Sequence, residues 1–228
     1  MSCQIAIDGP AGAGKSTIAR KLAKQKGFIY VDTGAMYRAM AYYFLKKEVS
    51  PDDISSIEKR CMEADITIGY ENDEQVVYLN GENVNGVIRT EEVGNMTSSW
   101  VSKNPGVRER LTALQKELAR THNVVMDGRD IGTCVLPHAD VKVYLTASAA
   151  VRAKRRFDEL TAKGVACDIR QIEKDIVLRD KQDMNREIAP LKQAVDAVLV
   201  DSSDMTIDEV VTAISDLCRQ ESHREKEA

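Results

Sequence analysis

Residues 9–16 constrain the fold of this chain more than any other part of its sequence. They read Gly-Pro-Ala-Gly-Ala-Gly-Lys-Ser and match the P-loop pattern, in which four variable residues separate a glycine from Gly-Lys-Ser or Gly-Lys-Thr. An apolar run at 4–8 precedes them, and a helical pattern at 16–26 follows, with Gly27 as its stop. This order predicts a strand, a glycine-rich turn and a helix whose N-terminus can bind phosphate.

The rest of the chain repeats the alternation of strands and helices. Further apolar runs predict strands at 28–31, 124–126, 141–145 and 197–200. Helical patterns cover 35–47, 51–64, 90–101, 105–121, two segments within 152–186 that break near Gly164, and 206–220. Ser50 is the predicted N-cap of the helix that ends near Ala64, and Thr206 opens a capping box. We therefore predict an α/β fold, specifically a three-layer P-loop NTPase fold with a central parallel sheet flanked by helices.

Two segments depart from this alternation. Short strands at 66–69, at 75–79 and after Asn80-Gly81 predict a small antiparallel β insertion, because Asn-Gly is a strong hairpin signal. Residues 152–186 carry ten Lys and Arg against seven Asp and Glu, which predicts a charged helical arm. We expect residues 221–228 to form a frayed acidic tail.

Composition excludes several classes of function. Lys and Arg total 32 and Asp and Glu total 36 among 228 residues, so a net charge of −4 argues against nucleic-acid binding by the whole surface. No apolar run approaches the roughly 20 residues of a membrane span, and the first residues lack a signal-peptide pattern. Five scattered cysteines without a C-x-x-C pair indicate neither zinc nor a disulfide framework. We expect a cytoplasmic monomer that binds neither nucleic acid nor a membrane.

The P-loop residues have distinct chemical roles. Backbone N–H groups and the Lys15 ammonium bind polyphosphate, and the Ser16 hydroxyl can ligate Mg²⁺. The predicted ATP-binding residues of this segment are Gly9, Pro10, Ala11, Gly12, Ala13, Gly14, Lys15, Ser16 and Thr17.

Scattered arginines suggest a second phosphate site. Arg38, Arg108 and Arg129 each follow a predicted element boundary, and Arg179, Asp183 and Arg186 follow an i, i+4, i+7 spacing that predicts one helix face. Any one of them alone fits a surface ion pair. Together with a P-loop, they favour a clamp on a phosphate acceptor, because planar guanidinium groups bind phosphate in a bidentate manner.

A phosphate acceptor is consistent with the histidine pattern. The three histidines lie far from the P-loop in sequence, and no Ser-His-Asp or His-Glu-x-x-His pattern occurs. A phosphate monoester has a second pKa of about 6 and is already mostly a dianion at neutral pH. Transfer to it therefore needs positioning and electrostatic stabilisation rather than a general base.

The motifs as a set resemble those of bacterial-type cytidylate kinases over nearly the whole chain. They are Ile-Asp-Gly-Pro-Ala-Gly-Ala-Gly-Lys-Ser at 7–16, Asp-Thr-Gly-Ala-Met-Tyr-Arg at 32–38, Ile-Arg-Thr at 88–90, Asp-Gly-Arg-Asp-Ile-Gly-Thr at 127–133, Arg-Asp-Lys-Gln-Asp-Met-Asn-Arg at 179–186 and Ala-Pro-Leu at 189–191. The β insertion also fits, because this family carries one in its monophosphate-binding region.

The resemblance implies a role for each candidate residue. The residues implied to hold the CMP phosphate are Arg38, Arg129, Arg179 and Arg186. Asp183 would accept from the sugar hydroxyls. Those implied to line or read the cytosine pocket are Thr33, Ser99, Arg108 and Asp130. Arg155 and Arg156 would close over ATP, and Asp127 with Ser16 would lie at Mg²⁺. The implied catalytic residues are Lys15, Arg129, Arg179 and Arg186.

We therefore predict ATP-dependent, Mg²⁺-assisted phosphorylation of CMP or dCMP to CDP or dCDP by direct in-line transfer. The predicted layout is a single kinase domain at 1–228, with a core at 1–35, 105–150 and 190–228, a monophosphate-binding region at 36–104 and a lid at 151–189. Three alternatives remain open: a P-loop kinase for UMP, AMP or a metabolite, an ATP-fuelled scaffold, and a GTP switch. For the switch, residues 180–183 read Asp-Lys-Gln-Asp, with Asp at the first position of the guanine-reading pattern, which takes Asn or Thr there.

Overall fold

The elements of the chain alternate between strands and helices along most of its length. The structure is a computed structural model that describes residues 2–71 and 74–227. Its strands are β1 (Gln4–Asp8), β2 (Ile29–Asp32), β3 (Ile66–Glu71), β4 (Glu74–Leu79), β5 (Glu82–Asn83), β6 (Val124–Gly128), β7 (Val141–Thr146) and β8 (Val198–Asp201). Its α-helices are α1 (Lys15–Lys26), α2 (Thr33–Lys46), α3 (Ile54–Glu63), α4 (Glu91–Ser99), α5 (Pro105–Thr121), α6 (Ala149–Ala162), α7 (Ile169–Met184) and α8 (Ile207–Glu227).

The chain divides into two compact units. The first contains residues 1–30 and 122–228, and the second contains residues 31–121. A five-stranded sheet has the order β2-β6-β1-β7-β8, and β1 pairs in parallel with both β6 and β7. Parallel neighbours on both sides place β1, and therefore the start of the P-loop, at the centre of this sheet. The predicted fold class, a central parallel sheet flanked by helices with a small antiparallel sheet, is confirmed.

One apolar cluster in the first unit fixes α1 and α8 to the sheet. Ile5 and Leu145 from the strands, Leu22 from α1 and Ile214 from α8 are all fully buried in it. Burial of a side chain of this size contributes about 1.5–3 kcal/mol. The helix that carries Lys15 is therefore held firmly against the strand that leads into the P-loop.

The second unit combines four helices with the predicted antiparallel insertion. Strands β3, β4 and β5 form a three-stranded sheet, and β4 pairs antiparallel to both of its neighbours. Asn80 and Gly81 join β4 to β5 with φ angles of 51° and 81°. Both lie in the left-handed region that Asn and Gly tolerate best, which explains the turn. In the same unit the rings of Phe44 and Trp100 stack with centroids 5.5 Å apart.

Four details differ from the sequence-based predictions. Helix α3 begins at Ile54 and not after Ser50, because the Asp53 carboxylate accepts from the Ser56 N–H at 2.9 Å and caps the helix there. Helix α4 ends at Ser99, and residues 101–103 form a separate 3-10 turn. A π-helical turn over 131–135 was not predicted.

The fourth difference concerns the C-terminal helix. The predicted capping box is confirmed, because Thr206 and Glu209 exchange hydrogen bonds with each other's backbone N–H groups at 2.8 and 3.3 Å. Helix α8 nevertheless continues to Glu227, so the prediction that the helix ends near 220 and gives way to a frayed tail is wrong for the described part of the tail. Ala228 lies outside the described residues. The predicted division into core, monophosphate-binding region and lid stays a prediction.

Candidate active site

The P-loop requires glycine at its bends. Gly9, Gly12 and Gly14 have φ angles of 150°, 75° and 85°, which side chains rarely allow. A Cβ atom on Gly9 would also lie 1.9 Å from the backbone oxygen of Leu145. Gly14 is the N-cap of α1 and supplies no side-chain cap, so the first N–H groups of this helix have no capping side chain.

The side chain of Lys15 is buried at the start of α1. Its ammonium donates to the Pro10 carbonyl at 2.7 Å, and only 5% of the residue is exposed. Burial and the nearby Arg129 charge together lower the pKa of Lys15 to about 7, against the opposing effects of Asp127, Asp8 and Asp183. A buried amine in this state gains its full charge most easily when an anion binds beside it.

The Asp127 carboxylate, at the end of β6, lies next to the P-loop. Ser16 Oγ donates to one of its oxygens at 2.9 Å, and the buried Tyr30 hydroxyl donates to the other at 2.9 Å. The structure therefore brings the two predicted metal ligands, Ser16 and Asp127, together. Within residues 2–71 and 74–227, no cluster of three or more His, Cys, Asp or Glu side chains could hold a metal ion.

Asp8 holds the segment that follows Asp130. Its two carboxylate oxygens accept from the N–H groups of Ile131 and Gly132 at 2.8 and 2.7 Å. Burial raises the pKa of Asp8 to about 6, although both hydrogen bonds act in the opposite direction. Asp130, a predicted base-reading residue, is 5% exposed at the first residue before the π-helical turn.

A second charged group surrounds Asp183 near the end of α7. Arg129 Nε donates to one carboxylate oxygen at 2.8 Å, and Arg186 pairs with the other. Burial opposes ionisation of Asp183, but the charges of Arg129, Arg186 and Arg179 outweigh it and hold its pKa below the ordinary value. The structure thus brings together Arg129, Asp183 and Arg186 from three separate motif positions.

The predicted helix face around Asp183 needs a correction. Helix α7 ends at Met184, so Arg186 lies beyond the helix and not on its face. Its guanidinium reaches back to Asp183, and its buried Nε has no hydrogen-bond partner among the described atoms. Arg179 lies one turn before Asp183 on α7 and is exposed.

The remaining candidates for ATP lie on the surface of α1 and α6. Thr17 is exposed in the first turn of α1. Arg155 donates to the Ser202 backbone oxygen at 2.6 Å, and Arg156 pairs with Glu159 at 2.8 Å with half of its side chain exposed. The present contacts of these two arginines are therefore with the protein itself.

The candidates in the second unit lie on three helices. Thr33 and Arg38 lie on α2, where Thr33 is buried in the first turn. Arg108, buried on α5, donates to the Ser102 backbone oxygen at 3.1 Å and covers the Tyr37 ring at 5.7 Å. Ser99 is exposed, and its hydroxyl donates to the Met96 carbonyl of its own helix at 3.1 Å.

Four polar residues that adjoin or contact the P-loop or a predicted site residue were not themselves predicted as site residues: Asp8, Tyr30, and the pair Arg152 and Asp180, which both bond to the backbone of Ala11. Asp8 and Asp180 lie inside the motifs at 7–16 and 179–186, each directly beside a predicted site residue, but neither was assigned a role. Tyr30 and Arg152 carried no distinctive signal, because a tyrosine in a strand and an arginine in a charged helix are ordinary. Their partners lie far away in the sequence.

Comparison with known proteins identifies the family of this chain. The family model described as cytidylate kinase matches residues 5–220. A cytidylate kinase of Shouchella clausii is 49% identical over 220 residues, which cover 96% of this chain and 97% of that protein. A cytidylate kinase of Caldicellulosiruptor bescii is 51% identical over 213 residues, covering 93% of this chain and 94% of that protein.

A solved structure supports the fold. An uncharacterized protein from Eubacterium ventriosum aligns with a TM-score of 0.53 at 13% identity, over 96% of this chain and 99% of that one. The two cytidylate kinases, in contrast, are about 50% identical in sequence to this chain over nearly its whole length. The chain belongs to the cytidylate kinase family.

Proposed function

We propose that this protein transfers the γ-phosphate of ATP to CMP or dCMP and releases ADP with CDP or dCDP. The observation that carries the proposal is that one compact unit contains both the P-loop around Lys15 and the Arg129–Asp183–Arg186 group. A P-loop binds the donor, and an arginine group suits a second phosphorylated substrate. Membership of the cytidylate kinase family supports CMP as that substrate.

Residues 9–17 bind the phosphates of ATP in this proposal. The uncapped N-terminus of α1 offers N–H groups and the positive end of the helix dipole. Lys15 leaves the Pro10 carbonyl and places its ammonium on the transferring phosphate. Negative charge beside the amine raises its depressed pKa, so Lys15 is fully charged when ATP is bound. Arg155 and Arg156 bind ATP from α6.

Ser16 and Asp127 would hold Mg²⁺ with ATP. A hydroxyl and a carboxylate 2.9 Å apart are hard oxygen ligands, and Mg²⁺ commonly takes one or two such ligands together with water and phosphate oxygens. When bound, the ion supplies positive charge that neutralises the phosphate oxygens during transfer. Tyr30 holds the other oxygen of Asp127 in place.

Arg38, Arg129, Arg179 and Arg186 hold the CMP phosphate. Their charges offset the repulsion between two phosphorylated substrates and stabilise the transferring group. Asp183 is held ionised by its arginine neighbours and accepts from the sugar hydroxyls. The acceptor phosphate is already a dianion near neutral pH, so no protein group needs to remove a proton.

The cytosine base is recognised through hydrogen bonds to polar side chains, which include a hydroxyl and a carboxylate. Ser99 and Asp130 accept from the exocyclic amine, Arg108 donates to the ring, and Thr33 lines the pocket. Uracil has a carbonyl oxygen where cytosine has its amine, so it would leave a buried acceptor unpaired. Ser99 Oγ can accept from this amine while its hydroxyl still donates to the Met96 carbonyl.

The compartment and the oligomeric state complete the proposal. We expect a cytoplasmic monomer that binds neither nucleic acid nor a membrane, and the net charge of −4 supports the absence of general nucleic-acid binding. Over the described part of the chain, none of the helices combines the length and the apolar character that a membrane span requires.

Release of ADP in the presence of ATP and Mg²⁺ tests the proposal. CMP, dCMP, UMP, AMP and GMP are assayed in parallel as acceptors. We expect kcat/KM for CMP or dCMP to exceed that for the other acceptors by at least about a hundredfold. Equal turnover of UMP would make this chain a broader pyrimidine kinase, and no turnover with any monophosphate would refute the proposal.

A further inference from the structure

A buried ion pair between Arg152 and Asp180 forms hydrogen bonds with the backbone of Ala11 in the P-loop. Arg152 Nη1 donates to the Ala11 carbonyl at 2.7 Å, and Asp180 Oδ1 accepts from the Ala11 N–H at 3.2 Å. Arg152 and Asp180 also pair with each other at 2.7 Å. Both polar groups of one P-loop residue are therefore bonded to two side chains that pair with each other. Arg152 is from α6 and Asp180 is from α7.

The position of Arg152 is fixed from several sides. Its Nε donates to the Ala147 carbonyl at 2.8 Å, directly before the N-terminus of α6. A Cβ on Gly12 would lie 3.4 Å from Arg152 Cβ, so the arginine stem packs beside the next P-loop residue. Arg152 and Asp180 are 5% and 7% exposed. Desolvation makes a buried pair of this kind a poor source of stability, so a geometric role explains it better.

Helix α7 connects this pair to the acceptor group. Asp180 and Asp183 are three residues apart and lie one turn apart on the same side of the helix. Asp180 binds the P-loop at Ala11, and Asp183 binds Arg129 at 2.8 Å. One turn of α7 therefore carries a contact to the donor loop and a contact to the acceptor arginines.

We propose that Arg152 and Asp180 are positioning residues. Through α7 they hold the P-loop at a fixed position relative to the acceptor group, which is Arg129, Asp183 and Arg186. This inference rests on the proposed function. Neither side chain is assigned a substrate contact, because each acts through the Ala11 backbone. In-line transfer requires the donor and acceptor phosphates to be placed within a fraction of an ångström, and a misplacement of about 1 Å can cost on the order of a hundredfold in rate.

The test is a set of variants whose melting temperature and kcat are both measured, so that an effect on stability can be distinguished from an effect on turnover. Arg152→Met and Asp180→Leu each leave one buried charge unpaired, and they are expected to lower both the melting temperature and kcat. The double variant Arg152→Met/Asp180→Leu replaces the pair with apolar groups of similar volume, which commonly restores stability. Asp175→Leu is the matched control, because Asp175 is exposed on α7 and its carboxylate accepts from Gln171 Nε2 of the same helix at 2.8 Å.

We expect the double variant to melt above either single variant, because no buried charge is left unpaired, while its kcat at saturating ATP and CMP, measured below its melting temperature, stays at least about tenfold low. Its Kd for CMP alone, measured by calorimetry, should stay within about threefold of wild type, because the CMP contacts remain. Recovery of kcat together with the melting temperature would overturn the inference and make the pair merely structural. So would a loss of CMP binding as large as the loss of kcat.

The controls separate this inference from the proposed function. If wild-type protein and Asp175→Leu both phosphorylate CMP, the proposed function holds and the double variant decides the positioning role. If wild-type protein does not phosphorylate CMP, the proposed function fails and the positioning role fails with it.

Discussion

At the scale of single residues, burial shifts the charges of Lys15 and Asp8 towards neutrality. Burial lowers the pKa of Lys15 to about 7 and raises that of Asp8 to about 6. For Lys15 the folded protein binds fewer protons than the unfolded chain between pH 7 and 10.5, so this group makes stability rise with pH in that range. Below pH 7 its desolvation penalty is fully present. For Asp8 the folded protein binds more protons than the unfolded chain between pH 3.8 and about 6, so this group makes stability fall as the pH rises through that range.

The depressed pKa of Lys15 predicts proton uptake when ATP binds. At about pH 8.5, above the phosphate pKa of about 6, ATP itself has no proton to exchange. Calorimetric titration of ATP in two buffers with different ionisation enthalpies should then show net uptake of a large fraction of one proton. Lys15→Ala should abolish this uptake and most of the transfer while leaving the melting temperature close to wild type. Uptake that persists in the variant would assign the shifted pKa to another group.

Asp130 predicts a change in selectivity. Asp130→Ala removes the acceptor for the cytosine amine and should lower the ratio of kcat/KM for CMP over UMP by at least about tenfold. The ratio is measured by ADP release with each acceptor at saturating ATP. If the two values fall in parallel, Asp130 holds the fold of the loop and does not read the base.

At the scale of elements, local signals predicted most helices and strands, and contacts distant in sequence set the exceptions. The P-loop, the Asn80-Gly81 hairpin and the Thr206 capping box each depend on a few adjacent residues, so the sequence contains all their information. The start of α3 was predicted wrongly because both Ser50 and Asp53 can cap a helix, and the sequence does not show which of them does. The contacts of Arg152 and Asp180 with Ala11 could not be predicted, because Ala11 lies 141 and 169 residues away from them in the sequence.

The correction at α3 predicts unequal effects of two neighbouring substitutions. Asp53→Ala removes the acceptor for the Ser56 N–H and should lower the free energy of unfolding by about 1 kcal/mol. Ser50→Ala removes a longer hydrogen bond to the Asp52 N–H, at 3.4 Å, and should have a smaller effect. Urea unfolding of both variants checks this difference. A larger loss for Ser50→Ala would show that Ser50 and not Asp53 caps the helix.

At the scale of the whole molecule, the sequence motifs predicted the family, and the structure supplied the connections among the motif residues within each unit. The predicted metal ligands Ser16 and Asp127 are in contact, and Asp183 joins Arg129 to Arg186. The predicted roles of Ser99, Arg155 and Arg156 remain predictions, because a sequence motif does not specify what a long or hydroxyl side chain contacts before substrate binds. Each of the three currently bonds to a protein group.

The most direct test of the central claim follows the phosphoryl group itself. ATP labelled at its γ-phosphate is mixed with CMP, Mg²⁺ and excess protein, and the products of a single turnover are separated. Direct transfer predicts that the label appears in CDP with no labelled protein, at a rate equal to that of ADP formation. Label that remains on the protein, or that appears as inorganic phosphate while CMP is unchanged, would contradict the account.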